Sequence, residues 1–160
     1  MVIVVSSALR LRDLVRYTDT DDVAAYKDLD FSQRQRVDFK PVGIWLSVGN
    51  AWGEFAADGL GKKYEHEIPV QLARGTRLVR VRDDLDVRNL TSEYGRRCRR
   101  PNPRQEDMAL IDFAKVVADN PLASGIYFGP RAIAKGSRMW IRLMDVPSVC
   151  VWDGSKIVRV

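Results

Sequence analysis

The chain has 160 residues, the length of one ordinary domain, and carries 26 Lys and Arg against 21 Asp and Glu for a formal net charge of +5. With 46% hydrophobic and 29% charged residues, the composition excludes an apolar-poor disordered chain. No apolar run approaches the roughly 18 residues needed to cross a bilayer, so no membrane contact is expected and the cytoplasm is the expected compartment.

In chain order, Val2 to Val5 reads as a short strand, because its apolar stretch soon meets Arg10, Arg12 and Asp13 and has no basic leader. Ala8 to Tyr17 spaces Leu9, Leu11, Leu14 and Val15 as in a short helix. Asp19 to Asp22 is a polar turn able to cap a helix over Val23 to Leu29. Pro41 precedes a strand running to Ser47, since a proline inside it would remove a ladder donor. A turn at Val48 to Asn50 leads to a helix over Ala51 to Ala57, closed by Asp58-Gly59, with Trp52 and Phe55 on one face.

Tyr64 to Val70 and Thr76 to Val81 read as a hairpin or two neighbouring strands. Asp84 to Tyr94 is a helix ended by Gly95, and Glu106 to Ala118 is another, ended by Asp119-Asn120-Pro121. Gly125 to Phe128, Met139 to Leu143, Ser148 to Trp152 and Lys156 to Val160 are strands, with Asp153-Gly154 as a hairpin turn joining the last two. Without regular strand–helix alternation, residues 1–160 are expected to form a single α+β domain with a mixed or mainly antiparallel sheet.

Several chemistries lose support at this level. With one histidine, His66, and two distant cysteines, Cys98 and Cys150, no metal site is expected. Neither a GxxxxGK[ST] nor a GxGxxG loop is present, and Gly59-Leu60-Gly61-Lys62-Lys63 lacks the surrounding pattern of a phosphate loop. The acidic groups Asp19, Asp21, Asp22 and Asp83, Asp84, Asp86 read as helix caps. Residues 95–105 are an exposed arginine-rich loop, and Arg96, Arg97, Arg99, Arg100 and Arg104 suit phosphates or an acidic partner. Tyr94 could add stacking beside them.

Lys40, Pro41, Gly43, Trp45 and Ser47, followed by Trp52, together with the late segments IDFAKVVADNPLASGIYF and SVCVWDGSKIVRV, resemble small phage and viral proteins related to ADP-ribosyltransferases. That resemblance touches about half of the chain, in separated islands, and implies a split antiparallel sheet around a nicotinamide-binding cleft. It implies NAD as cofactor, ADP-ribose transfer to a macromolecule, and a cleft with an early His or Arg, a central Tyr or Ser, and often a late glutamate. Arg10, Lys40, Trp45, Ser47 and Trp52 would bind the dinucleotide, and the arginine loop would meet the acceptor. The late strands carry no glutamate, so Glu106 and Asp112 stand as the carboxylates, with Asp145 as a further substitute. The alternative is a phage accessory protein that binds a host protein or nucleic acid without catalysis.

Overall fold

The computed structural model describes residues 13–20, 40–96 and 109–160. The expected strand at Val2 to Val5 and helix at Val23 to Leu29 lie outside them, as do Arg10, Arg97, Cys98, Arg99, Arg100, Arg104 and Glu106.

The described elements run β1 (Leu14–Thr18), β2 (Ile44–Val48), α1 (Ala51–Leu60), β3 (His66–Leu72), β4 (Leu78–Val81), α2 (Asp84–Tyr94), β5 (Gly95–Arg96), β6 (Leu110–Ile111), α3 (Phe113–Asp119), β7 (Gly125–Phe128), α4 (Pro130–Lys135), α5 (Met139–Arg142), β8 (Ser148–Val151) and β9 (Ile157–Arg159). Seven strands form one sheet in the order β4-β7-β8-β2-β1-β3-β9, and β5 pairs with β6 separately. Among the described strands, only β4 and β7 run parallel in the main sheet. The fold is thus α+β with a largely antiparallel sheet.

Side-chain alternation divides two cores between the sheet faces. Val79, Val81, Ile126, Phe128 and Cys150 pack against α2, α3, α4 and α5 through Val87, Leu90, Phe113, Val116, Ala132, Trp140 and Ile141. The intervening Leu78, Val149 and Val151 join Leu14, Ile44, Leu46, Ile68, Val70 and Ile157 in the second cluster.

The sheet is pinched at its centre. β1 meets β2 at two positions, Leu14↔Val48 and Val15↔Ser47, whereas β1 pairs with β3 over five and β2 with β8 over four. Beyond Val15 the two central strands diverge, and the Arg16 Nη1 donates across the gap to the Trp45 carbonyl at 3.2 Å.

Several local expectations are corrected by long-range pairing. Residues 14–17, read as the end of a helix, are extended in β1, because β3 offers a full ladder to them. The strands over 64–81 are neither a hairpin nor neighbours: the Thr76 amide and hydroxyl both bond to the Ala73 carbonyl, and that turn sends β4 to the far edge of the sheet. Similarly, β8 and β9 do not form a hairpin. Asp153 caps a 3₁₀ turn at Gly154–Lys156, and β9 joins β3.

Met139 to Arg142 is a helix, not a strand, which puts the adjacent Trp140 and Ile141 and then Met144 into one core. The helix expected from Glu106 starts at Phe113 within the described residues, because Leu110–Ile111 pairs with Gly95–Arg96 and Asp112 caps the turn that follows. α1 runs past Asp58-Gly59 to Leu60 and is closed by Gly61 in the left-handed conformation. α4 went unanticipated, although Gly129 followed by proline at the first helical position is a start signal.

Candidate functional site

A cleft of about 230 Å³ opens where β1 and β2 part. Tyr17, Trp45, Trp52 and Tyr64 give it aromatic walls, Leu46, Met144 and Val146 an apolar lining, Ser47 and Ser148 hydroxyls, and Arg16 and Lys40 positive charge. The lining draws on β1, the segment before β2, β2, α1, the segment before β3, the α5–β8 turn and the start of β8, so it exists only once the sheet has assembled.

The spacing Lys40, Pro41, Gly43, Trp45, Ser47 acquires a physical meaning here. The buried Pro41 carbonyl accepts from the Cys150 thiol at 3.6 Å. A Cβ on Gly43 would stand 2.6 Å from the Val151 carbonyl oxygen, so this position tolerates only hydrogen at that approach. Trp45 stacks on Phe128 at 6.0 Å between ring centroids and also faces the cleft. Ser47 Oγ accepts the Trp52 amide at 3.0 Å, satisfying a donor at the start of α1 where Asn50 makes no side-chain cap.

The other walls are tied to one another. Trp52 stacks with Phe55 at 5.4 Å, as their three-residue spacing suggested, and donates Nε1 to Tyr64 Oη at 3.1 Å. Lys62 lies 4.6 Å from the centre of the Tyr64 ring and pairs with Asp19 at 2.9 Å, while Gly61 serves the helix end. The GLGKK segment is therefore engaged in closing and packing α1. Burial, followed by the charges of Glu67 and Glu54, raises the Tyr17 hydroxyl above its usual range and keeps it protonated. Lys40 holds Asp145 at 3.0 Å and reaches within 5.7 Å of the Trp45 ring centre. Asp145 itself adopts a left-handed conformation, at φ 65°, in the turn before β8.

The structure brings together Lys40, Trp45, Ser47 and Trp52 of the residues singled out in the sequence. It places Asp112 elsewhere, capping α3 through the Lys115 amide and pairing with Arg96 at 2.8 Å. Arg96 is consequently a partner of Asp112 at the mouth of the arginine-rich segment. Tyr94 is buried in the helical core, with burial and the Asp119 hydrogen bond pushing its hydroxyl up to about 12, so it offers no stacking surface. His66 pairs with Thr18 in the sheet ladder. Cys150 is fully buried, which pushes its thiol far up despite the opposing charge of Arg16.

Arg16, Tyr17, Tyr64 and Ser148 were not recognised from the sequence. Arg16 and Tyr17 were hidden by the helical reading of their segment, although LVRYT is rich in strand-forming residues. Ser148 opens the apolar run SVCV and has no local signal beyond that position.

Among the described residues lining the cleft, none is acidic, and no group of three or more His, Cys, Asp or Glu is placed to hold a metal ion among the described residues. No family model, curated protein or solved structure matches the chain. No described helix is long and apolar enough to cross a membrane.

Asp112 provides a pH test of the β5–β6 corner. Burial raises its pKa, but the Arg96 hydrogen bond, the Lys115 amide and both positive charges outweigh burial and leave it lowered. A lowered carboxylate stabilises the fold above its unfolded value near pH 3.9, and that contribution is lost as pH falls through the folded value. The urea midpoint should therefore decline below about pH 4, and Asp112→Asn should flatten the decline while lowering stability at neutral pH. An unchanged acid slope in that variant would remove Asp112 from the effect.

Proposed function

We propose that the chain binds NAD ring-first in the cleft between β1 and β2, as an ADP-ribosyltransferase-like protein that acts on a macromolecule in the cytoplasm. The observation that carries this reading is the convergence of Arg16, Ser47 and Ser148, from three successive strands of the sheet, on one aromatic-walled cleft at the pinch. Arg16 supplies the early cation that the resemblance implies, and Ser47 the central serine. At about 230 Å³ the cleft is smaller than the roughly 300–1,000 Å³ of sites that enclose a drug-sized ligand, which suits one flat ring and leaves the phosphates outside. Lys40, paired with Asp145, also lines the cleft and carries a charge suited to a phosphate. In this reading Arg10 and the arginines at 97, 99, 100 and 104 contribute to dinucleotide or acceptor contacts, and Glu106 remains a candidate carboxylate.

A second reading, binding without chemistry, is favoured by the lack of an acidic lining residue among those described. Departure of nicotinamide leaves an electron-poor ribose, which an enzyme stabilises with a well-placed negative group. Asp145 is engaged by Lys40, and Asp112 by Arg96.

Calorimetric titration with NAD tests the common part. Wild type should bind, and Trp52→Ala should weaken binding by roughly tenfold or more, the scale of one lost aromatic stack. Ser47→Ala is a poor probe, because it also removes the partner of the α1 amide. Nicotinamide release and transfer of labelled ADP-ribose to a macromolecular fraction distinguish the transferase from the binder. A folded chain with no NAD affinity removes both NAD-dependent readings and leaves a protein that works through a partner alone.

A further inference from the structure

α4, Gly136, Ser137 and α5 form a short helical corner whose inner side is fixed. Ala132, Trp140 and Ile141 are buried in the helical core, and Trp140 Nε1 donates to Thr91 Oγ1 at 2.8 Å. Ser137 ties the turn to α2, donating its amide and its hydroxyl to Asp84 Oδ1, each at 2.7 Å. The outer side carries cations alone. Residues 129–144 contain Arg131, Lys135, Arg138 and Arg142 and no Asp or Glu. Arg131 and Lys135 are four apart, so they share one face of α4. Arg131, Lys135 and Arg142 are exposed, and none of the three has a carboxylate partner among the described residues, whereas Lys40, Lys62, Arg82, Arg88 and Arg96 all do.

We infer that this corner binds duplex DNA through its phosphate backbone. The carboxylates that border it, Asp84 and Asp145, are held by Arg88 at 3.2 Å and Lys40 at 3.0 Å, so they do not compete for the unpaired cations. A duplex presents one negative charge per roughly 1.7 Å of its axis, an array that spaced guanidinium and ammonium groups match. The chemistry of the corner narrows the partner further. Its one aromatic residue, Trp140, is fully buried, so no ring is offered to the unpaired bases of a single strand. Its one hydroxyl, on Ser137, is committed to Asp84, and Arg and Lys accept no hydrogen bond, which leaves phosphate contacts in place of recognition of a ribose 2′-hydroxyl. The surface also continues to the cleft. The Asp145 amide bonds to the Arg142 carbonyl at 3.3 Å, and Met144 between them is a lining residue, so a duplex on this corner lies beside the cleft. Arg131, Lys135 and Arg142 are not lining residues, and the inference does not rest on NAD binding.

The experiment follows fluorescence anisotropy of a labelled mixed-sequence DNA duplex of about 20 base pairs as salt rises from about 50 to 200 mM. Each phosphate contact adds about 0.9 to the slope of log affinity against log salt. Replacing all three cations in one protein (Arg131→Gln, Lys135→Gln, Arg142→Gln) should therefore reduce that slope by roughly two to three and weaken binding about tenfold or more at the low-salt end. Its melting temperature should match that of wild type, because the three side chains are exposed and unpaired. The control Arg74→Gln, Arg77→Gln, Lys156→Gln removes the same charge around the β3–β4 turn. That turn lies at the end of the sheet opposite α4, because β4 and β7 run parallel, and the control should change affinity by less than about threefold. Equal losses in the two variants would make net charge the cause and overturn the inference. Absence of DNA binding by wild type overturns it too, as does a first variant that melts well below wild type. Equal or tighter binding of single-stranded DNA, an RNA duplex of the same length or polyglutamate would also overturn it. NAD titration of the same proteins is a separate readout, so failure of DNA binding leaves the NAD reading to its own test.

Discussion

Trp140→Ala is expected to lose about 3–5 kcal/mol of folding stability, the range for removing a fully buried tryptophan. Trp140 sits at the meeting point of the helical layer and the sheet. It packs edge-on against Phe113 of α3 at 6.3 Å and Phe128 of β7 at 6.4 Å, and Phe113 in turn meets Phe128 at 6.5 Å. Its Nε1 donates to Thr91 Oγ1 at 2.8 Å, and that hydroxyl donates to the Val87 carbonyl inside α2. One side chain therefore joins α2, α3, α5 and β7, and no neighbour can collapse into its volume without breaking another of these contacts. Since a domain of this size is held by about 5–15 kcal/mol in all, the variant should lie near the edge of folding. Chemical denaturation measures this directly. A loss below about 1 kcal/mol would show that this aromatic group does not carry the helical layer.

Gly43→Ala should cost about 1–3 kcal/mol, the usual penalty for forcing a methyl group into an occupied space. The added carbon would stand 2.6 Å from the Val151 carbonyl oxygen and 2.8 Å from Cys150 Sγ. Those atoms belong to β8, which is paired on both sides, so the backbone they occupy cannot easily withdraw. The strain would fall on the Ile44↔Val151 pairing and on the segment that carries Lys40 to Asp145, so the loss of stability should be accompanied by weaker ligand binding at the cleft. Gly59→Ala is the matching control. Its added carbon meets only the Phe55 ring, at 3.8 Å, and in a helix the change should be neutral or stabilising by up to about 1 kcal/mol. If the two variants behaved alike, close approach at Gly43 would not be what the position requires.

At several positions local chemistry was readable in advance. Asp83 caps α2 by accepting the Asp86 amide, and Gly95 follows its last turn, so both ends of that helix were visible. Pro41 stands before β2 for want of a donor, and Trp52 and Phe55 share a face because of helical spacing. Part of the candidate site was legible for the same reason, since Lys40, Trp45, Ser47 and Trp52 lie on or beside these local elements.

The rest was not, because it depends on which strands meet. Leu14 to Tyr17 fits a helical or an extended pattern, and pairing with β3 decided between them. That choice turned Arg16 and Tyr17 toward the cleft. Short apolar runs such as SVCV say nothing of their neighbours, so the Ser47↔Ser148 pairing had no sequence signal. By itself, the order of residues determined both ends of α2, the entry into β2, the shared face of Trp52 and Phe55 and the α+β class, all of which arise within a few residues of chain. Tertiary structure alone decided the strand order, the pinch between β1 and β2 and the composition of the cleft, because those depend on hydrogen bonds and packing between segments more than 100 residues apart, as Lys40 and Asp145 are, separated by 105 positions.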